Sequence, residues 1–578
     1  MGLSHFGEIV NQMMIRIAFV MCVVFLVGAG WACSTTALVE DDRQQQERLV
    51  EEASFSDEAA EYDVAYRIGT TLIDDEPVLE VELHFDGLVQ PSGRTYVFSP
   101  VLNAEDCVAL PRRCYGIASS ARLALAAQSS TGLRTFLRRA ALDRTSTNVY
   151  LPSRWAHVDN YHEGIIRMEV AGEGVELVET DYVNMLEVRH RPGQRVVLRY
   201  AVRQIFSEGL YANRYRPHIA DDHFFFIGHG FFIMPDFDMH EQRPILIQWD
   251  VDDDYEVLAN SHGRFTARQS LHTDLDSIRG ALYLGGDYQY ISSSEAGVDF
   301  VFYGDDWSFE IAEFVEKTLR IVEAGRELFA DLGADPWLVA IYPGDEPGYW
   351  MGTALHDAVV LRLKLEEDFD WTPILELIAH EVVHQWNGQV LQREQPSEQY
   401  FWFSEGFTDF YTARVLLQAE LIDLVQYADF FNRLRMEYAS SPAREATNEE
   451  IVEGFWRDGD IQRIPYLRGA LFALHLDTEI RLESQGKTSL DDVMARKIEA
   501  GRRDGTRFSK DLFIEALQST QPTIADQVQS IIIEGAALEL HPHGLGPCGS
   551  TETVELQDVG QIEIYTVDEQ RWTPSPRW

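Results

Sequence analysis

The run His380-Glu381-Val382-Val383-His384 constrains this 578-residue chain more than any other segment. It lies in an apolar stretch of helical character, and residues four apart project from the same face of an α-helix. Two imidazoles placed in this way can bind a zinc ion through neutral nitrogens about 2 Å from the metal. Glu381 lies one step round the helix, where it can act on a metal-held water as a general base without being a ligand. The alternative is a pair of surface or core histidines on an amphipathic helix.

The flanking residues predict the ends of this helix. Thr372 can serve as the N-terminal cap, and Pro373 suits the first helical position. The helix is then expected to run through Trp386 and to end near Asn387-Gly388, because glycine readily takes the left-handed conformation that closes a helix.

A catalytic zinc ion needs a third protein ligand and an open fourth position. Residues 403–409 open the next predicted helix, and Glu405 is the candidate third ligand there. Asp409 follows four residues later on the same face, where its carboxylate can accept the free ring N–H of a ligand histidine. The alternative for Asp409 is a solvated carboxylate on the helix surface.

In these segments the chain resembles the gluzincin zinc peptidases, and most closely the glycyl aminopeptidase family, which is related to the aminopeptidase N family. The family pattern His-Glu-x-x-His-x-Trp-Asn corresponds to residues 380–387, and its Glu-Gly-Phe/Thr helix corresponds to residues 405–408. A later helix of the family carries a tyrosine three residues before a glycine, which corresponds here to Tyr466-Leu467-Arg468-Gly469. The resemblance extends, more weakly, over residues 60–540.

The resemblance implies a role for each of these residues. The implied Zn2+ ligands are His380, His384 and Glu405. Glu381 is the implied general base, and Tyr466 is implied to hydrogen-bond the oxyanion of the tetrahedral intermediate. A tyrosine that merely packs inside its helix is the alternative for Tyr466.

The chain departs from the family on the strand that precedes the zinc helix. The family carries Gly-Gly-x-Glu-His there, and its glutamate binds the free amino terminus of the substrate, whereas this chain has Gly352-Thr353-Ala354-Leu355-His356. Leu355 thus takes the place of the glutamate and cannot pair with an ammonium group, which speaks against aminopeptidase specificity. An extended peptide can still bind by adding a strand to the sheet. Gly352 and His356 are therefore candidate substrate-binding residues, and a structural histidine is the alternative for His356.

Two further departures bear on function. The run Gly388-Gln389-Val390-Leu391 stands where the family has basic residues after Trp-Asn. The chain also leaves no room for the PDZ domain that usually ends members of the family. These differences motivate an alternative function, that of a non-catalytic peptide-binding protein on a zinc-peptidase scaffold.

The patterning along the chain predicts an α+β multidomain fold. Short alternating stretches indicate an N-terminal antiparallel β-sandwich-like domain over residues 61–304. Helical spacing and a few strand-like runs over residues 305–540 indicate an α/β and helical domain, and the resemblance implies that it is a thermolysin-like catalytic domain. Residues 38–60 are polar and acidic and are interpreted as a linker, while residues 541–578 form a C-terminal tail with one hairpin-like stretch at 554–567.

The N-terminus predicts export. Arg16 precedes the apolar run 17–32, which is short for a membrane span and is followed by small and acidic residues. Residues 1–37 are therefore interpreted as a signal peptide or a lipoprotein signal, with lipid attachment at Cys33 left open and an uncleaved anchor as the alternative. A local disulfide between Cys107 and Cys114 would suit an oxidising compartment. We expect a periplasmic or extracellular protein that contacts a membrane only through this segment.

The charge of the chain excludes one class of partner. Asp and Glu number 94 against 48 Lys and Arg, so the formal net charge is -46. Such a surface repels phosphate backbones, and nucleic acid is not expected to bind.

The sequence thus predicts an exported zinc-dependent peptidase that acts on a peptide or protein through a zinc-activated water. It leaves open the oligomeric state, the side-chain preference and the choice between endopeptidase and exopeptidase.

Overall fold

The structure, a computed structural model, describes residues 55–88, 146–156, 158–206, 213–251, 255–265, 267–331, 337–539, 541–556 and 559–568. The predicted signal segment with Cys33 and the predicted disulfide between Cys107 and Cys114 lie outside these residues. Within the described ranges, every helix is too short or too polar to cross a membrane.

The end of the predicted linker is structured. Residues 55–59 are helical, and the side chains of Phe55 and Ala59 are buried against Ala65 and Leu246. Two apolar side chains in a short acidic segment gave too little periodicity to reveal this turn, so the linker as predicted extends too far towards residue 60.

The N-terminal half of the described chain consists mainly of β-strands, as its alternating pattern predicted. The strands are β1 (Val64–Ile73), β2 (Glu76–Asp86), β3 (Ser146–Tyr150), β4 (Arg154–Trp155), β5 (Val158–Asp159), β6 (Ile165–Ala171), β7 (Glu176–Glu179), β8 (Met185–Arg189), β9 (Arg195–Arg203), β10 (His218–Ile219), β11 (His223–Ile227), β12 (Met234–Pro235), β13 (Arg243–Asp250), β14 (Val257–Asn260), β15 (Gly263–Arg264), β16 (Arg268–Thr273) and β17 (Leu282–Gly286).

These strands form stacked sheets. A six-stranded sheet has the order β16-β13-β1-β2-β9-β6, a five-stranded sheet β10-β11-β17-β14-β15 and a four-stranded sheet β12-β3-β8-β7, while β4 pairs with β5. Pairing is antiparallel except between β1 and β13, which run parallel. That pair departs from the antiparallel arrangement that we predicted, because the strand that joins β1 on this side comes from far along the chain.

Strand β11 is the centre of this stack. Phe224 and Phe226 point into the core shared with the six-stranded sheet, while Phe225 and Ile227 point into a second core shared with the sheet described next. A strand that is buried on both faces needs an apolar residue at nearly every position. This double burial accounts for the run of three phenylalanines.

The sheet of the second domain lies against that second core. Its strands are β18 (Gln289–Ser293), β19 (Val298–Phe302), β20 (Trp337–Pro343), β21 (Tyr349–Leu355) and β22 (Ala358–Lys364), in the order β18-β19-β20-β22-β21. Strand β19 runs parallel to β20, so the domain boundary that we predicted at residue 304 cuts through one sheet. The alternation of β18 and β19 is no different from that of the strands before them, and the sequence could not assign them to the second domain.

Helices cover the other face of this sheet. Helix α1 (Leu275–Gly280), between β16 and β17, packs in the core of the N-terminal domain. The helices of the second domain are α2 (Ile311–Leu328), α3 (Trp371–Val383), α4 (Phe401–Ser404), α5 (Gly406–Gln418), α6 (Leu424–Ser440), α7 (Asn448–Gly454), α8 (Gly459–Glu483), α9 (Leu490–Asp504), α10 (Lys510–Leu517) and α11 (Ile524–Gln527). Ile378 and Val382 of α3 share one apolar core with Val339 and Leu361 of the sheet.

The C-terminal segment is docked on these helices. Strands β23 (Gly549–Leu556) and β24 (Gly560–Val567) form a hairpin that begins earlier than the stretch 554–567 predicted for it. The side chain of Asn432 in α6 donates to the carbonyl of Tyr565 at 2.9 Å and accepts from its N–H at 2.7 Å. The predicted tail is therefore, where it is described, part of the helical domain.

Helices α5 and α8 pack with their backbones almost in contact. A Cβ placed on Gly469 would lie 2.0 Å from the carbonyl oxygen of Trp402 and 2.8 Å from the Cα of Gly406. We expect Gly469→Ala to destabilise the protein by roughly 1–3 kcal/mol through overpacking, read as a lower midpoint of urea unfolding. Gly459→Ala on the same helix is the control, because no heavy atom lies within 4 Å of its Cβ position. Equal midpoints for both variants would contradict this account of the contact.

Candidate metal centre

Helix α3 carries the first two candidate ligands. Its N-terminal cap is Asp370, whose carboxylate accepts from the N–H of Thr372 at 2.9 Å and from its hydroxyl at 3.0 Å. The cap therefore lies two residues before Thr372, which we predicted in that role, because Asp370 binds the free N–H of the first turn more directly. Pro373 consequently lies inside the first turn.

The helix ends at Val383, three residues earlier than predicted, and passes into a π-helical turn, Gln385–Val390. Gly388 takes a φ of 153° there, which a residue with a Cβ would adopt only with strain. The turn leaves the carbonyl of Asn387 pointing back at His384, 3.1 Å from its Nδ1. The irregular end of the helix thus orients a candidate ligand.

The side chain of Asn387 ties this turn to the helix pair that carries Glu405. Its amide donates to the carbonyl of Phe403 and to the hydroxyl of Thr408, each at 3.1 Å. Trp386 beside it is fully buried and donates its indole N–H to Asp331 at 2.7 Å. The Trp-Asn pair of the motif is therefore structural, and it sets the distance between the two helices.

Three ligand atoms converge in this way. The Nε2 atoms of His380 and His384 are 3.1 Å apart, and Oε2 of Glu405 lies 3.6 Å from the first and 3.3 Å from the second. A tetrahedral zinc ion with bonds near 2.1 Å separates its ligand atoms by about 3.4 Å. Within the described part of the chain, these three residues are the only group of three or more such side chains close enough to hold a metal ion. The donor set and its spacing fit zinc.

The tautomers of the two histidines support this fit. Nδ1 of His380 lies 2.8 Å from a carboxylate oxygen of Asp409, and Nδ1 of His384 faces the carbonyl of Asn387, which can only accept. Each Nδ1 is therefore placed to donate, and the two Nε2 atoms face each other, where both can bind a metal ion. Asp409 is thus placed to orient a ligand, as its spacing on α5 suggested.

The charges within the cluster are strongly shifted. Burial lowers the pKa of His380, but the hydrogen bonds to Asp409 and Glu405 outweigh burial and hold this pKa well above its ordinary value. For Glu405 burial raises the pKa, but the charges and hydrogen bonds of His384 and His380 hold it well below its usual range. Glu405 therefore stays ionised and able to bind a metal.

Glu381 lies against the edge strand β21. A Cβ on Gly352 would lie 2.3 Å from the Cγ of Glu381, so only glycine leaves room for this carboxylate. The N–H of Ala354 hydrogen-bonds to Glu381, and burial raises the pKa of Glu381 above its ordinary value. A carboxylate with a raised pKa holds a proton more readily, as a general base near neutral pH must. Gly352 thus contributes space beside Glu381.

Tyr466 lies beside the cluster. It lies on α8, and its ring stacks on that of His380 with the centroids 6.0 Å apart. Burial, together with the charges of Glu405 and Asp409, raises the pKa of Tyr466 well above its ordinary value. The phenol therefore keeps its proton and can donate a hydrogen bond beside the three ligand atoms.

Leu355 and His356 face away from the cluster. Side chains alternate along a strand, so Gly352 and Ala354 share the face beside Glu381. Leu355 points the other way, into the core between the two domains, and is 2% exposed. The residue in line with Gly352 is therefore Ala354, and neither Ala354 nor Leu355 offers a carboxylate. Which face each residue takes depends on strand register, which the sequence did not reveal.

His356 belongs to the contact between the domains. Its Nε2 lies 3.1 Å from the hydroxyl of Ser277 in α1, and its Nδ1 lies 2.8 Å from Asp357. Burial lowers the pKa of His356, but Asp357 outweighs burial and the net shift is upward. These contacts place His356 with the N-terminal domain and correct its interpretation as a substrate-binding residue.

Arg393 is a residue of the site that the sequence analysis missed. It follows the π-helical turn, and its Nη1 lies 3.6 Å from Oε1 of Glu405. Residues 388–391, where the family has its basic run, lack basic side chains. The basic side chain near Glu405 is that of Arg393, two positions beyond this run. A search for basic residues at the family's spacing does not find it.

The orientation of His380 by Asp409 predicts the effect of removing that carboxylate. We expect Asp409→Asn to weaken zinc binding roughly 10- to 100-fold, because partners of this kind fix the ring and raise its basicity. Competition with a chromophoric chelator measures the affinity. Asp429→Asn, at an exposed position of α6, is the control, and an unchanged affinity in Asp409→Asn would remove the proposed role.

The geometry agrees with what the chain is similar to. Residues 373–453, which include all three ligand candidates, match the model of the M61 glycyl aminopeptidase family. The fold is similar to the crystal structure of an aminopeptidase N family protein from Idiomarina loihiensis, with a TM-score of 0.62 and 16% identity over 85% of this chain and 79% of that chain. An M1 zinc metallopeptidase from Deinococcus radiodurans gives a TM-score of 0.48 and 16% identity over 82% and 94%. No curated protein matches the chain.

These similarities confirm the predicted relationship to the gluzincin zinc peptidases and the predicted α+β multidomain class. The family match covers the zinc helix and the helices that follow it, up to α7. At 16% identity the structural neighbour shows the fold.

Proposed function

We propose that this protein is a zinc-dependent peptidase with His380, His384 and Glu405 as its metal ligands. The observation that carries the proposal is the triangle of ligand atoms, with edges of 3.1, 3.3 and 3.6 Å, together with the carboxylate of Glu381 and the phenol of Tyr466 beside it. A purely structural metal would need neither Glu381 nor Tyr466. When bound, zinc supplies Lewis acidity, which polarises a carbonyl and acidifies water.

Each residue around the triangle has a different task in the proposed reaction. Glu381 takes a proton from the attacking water and passes it to the leaving amine, for which its raised pKa is suited. The phenol of Tyr466 keeps its proton and donates a hydrogen bond to the oxygen on which negative charge develops. His380 and His384 keep their orientation through Asp409 and the carbonyl of Asn387.

The edge strand provides the surface for a peptide. Strand β21 pairs only with β22 among the described strands, and an extended substrate can pair with its free edge. Gly352 and Ala354 face the cluster, so this part of the strand has no carboxylate for a free amino terminus. Trp350, 45% exposed two residues upstream, offers an aromatic surface for a substrate side chain. We infer that a free amino terminus is not required.

The role of Glu381 predicts a specific loss of activity. We expect Glu381→Gln to lower kcat on a mixed peptide library by about 10²- to 10⁴-fold, because a positioned general base contributes that much. Zinc content should not change, since Glu381 is not a ligand. Glu367→Gln, an exposed acid before α3, is the control. Equal turnover by Glu381→Gln and wild type would remove the base, and no turnover by wild type would favour the non-catalytic peptide-binding protein.

The shape of the edge strand predicts the substrate class. We expect amino-blocked and unblocked versions of one peptide to be cleaved with kcat/KM values within about tenfold of each other, since an ion pair to the amine, typically worth a factor of ten or more, is missing. Mass spectrometry of the products locates the cleaved bond. Cleavage of unblocked peptides alone, one residue at a time, would show an aminopeptidase that recognises its substrate by other groups.

A further inference from the structure

Arg393 places a cation beside the ligand triangle, and the fold holds it there. The backbone around Arg393 pairs with that of Phe508, and the N–H of Glu394 donates to the Phe508 carbonyl at 3.0 Å. The guanidinium lies over the ring of Phe401, with its carbon 5.7 Å from the ring centroid. The pairing with Phe508 holds the backbone at Arg393, and the Phe401 ring packs beside the charge.

The guanidinium has unused hydrogen-bonding capacity. Its distance of 3.6 Å from Oε1 of Glu405 is that of an ion pair and exceeds a hydrogen bond. It makes no hydrogen bond with any residue in the described ranges, and 24% of the side chain is exposed. An arginine carries five N–H donors in a planar fork that matches a carboxylate. Its donors are therefore available to a ligand beside the metal centre.

The need to neutralise the charge of Glu405 does not explain why Arg393 lies at this position. The carboxylate of Glu405 already faces His380 and His384, and its outer oxygen Oε1 accepts from the hydroxyl of Ser404 at 3.0 Å. A cation kept at 3.6 Å adds little to an anion with these partners. In a chain with a net charge of -46, a partly exposed cation beside the metal centre instead favours negative charge in the substrate.

We propose that Arg393 forms a carboxylate-binding subsite, so that the preferred peptides carry a carboxylate next to the scissile bond. The carboxylate is either the C-terminus of the peptide or the side chain of an acidic residue. The face of Gly352 and Ala354 lacks an anion that could bind a free amino terminus. Arg393 instead offers a cation, which binds a group of the opposite charge. This inference rests on the proposed function for the identity of the ligand as a peptide.

The test measures binding without hydrolysis. Zinc-loaded Glu381→Gln protein is titrated calorimetrically with two peptide pairs: a free C-terminus against its amide, and an amidated peptide with glutamate against the same peptide with glutamine. We expect the carboxylate member of one pair to bind about 10- to 100-fold more tightly, as for hydrogen bonds to a charged group. The first pair reports a terminal carboxylate and the second a side chain.

The substitution Arg393→Gln in the same background should abolish this preference, and Arg393→Lys should keep part of it because the charge remains without the planar fork. Arg457→Gln, at an exposed position after α7, removes the same charge and should leave the preference intact. No preference in either pair, or a preference that survives Arg393→Gln, would overturn the proposal. Loss of zinc from both Arg393 variants would also overturn it, by showing that Arg393 holds Glu405.

Binding and hydrolysis fail separately in this design. If the wild-type protein hydrolyses no peptide, the proposed function is lost, while a carboxylate preference that depends on Arg393 still establishes the subsite. If hydrolysis occurs without such a preference, the peptidase stands and the subsite is lost.

Discussion

The near-contact of Gly406 and Gly469 determines where the groups of the metal centre lie. Helix α5 carries Asp409 and begins directly after Glu405, while α8 carries Tyr466. With side chains at the two glycines, the helices would separate, and Tyr466 would move away from the ring of His380 on which it stacks. A catalytic-type zinc site needs its ligands and its hydrogen-bond donors placed to within about half an ångström. The two helices meet through backbone atoms, which have no side-chain rotamers to vary, and this contact provides that accuracy.

Some of this arrangement could be predicted because it is local. The spacing of His380 and His384 on one helix face, and of Glu405 and Asp409 on the next, follows from the helical repeat alone. The β character of the N-terminal half followed from alternation. The fold class needed only these patterns, since an α-helical periodicity replaces the alternating one at a recognisable point in the chain.

Other features depend on tertiary structure and could not be predicted. The carbonyl of Asn387 reaches His384 only because the helix widens into a π turn, which no residue type specifies by itself. Leu355 and Ala354 exchange faces with a shift of one residue in strand register. The domain boundary was misplaced because β18 and β19 alternate like the strands before them. Arg393 escaped notice because its distance from the motif is set by a loop.

The double burial of β11 also concerns how the two halves of the protein depend on each other. Phe225 and Ile227 pack on the face of the second sheet that the helices leave uncovered. On that side the metal-bearing half therefore presents an apolar surface that needs the N-terminal half to cover it. A chain begun at residue 305 would lack β18 and β19 as well and would expose Leu338 and Leu355 to water. The N-terminal sheets therefore cover a face of the metal-bearing half that would otherwise meet water, and we expect the two halves to unfold as a single cooperative unit.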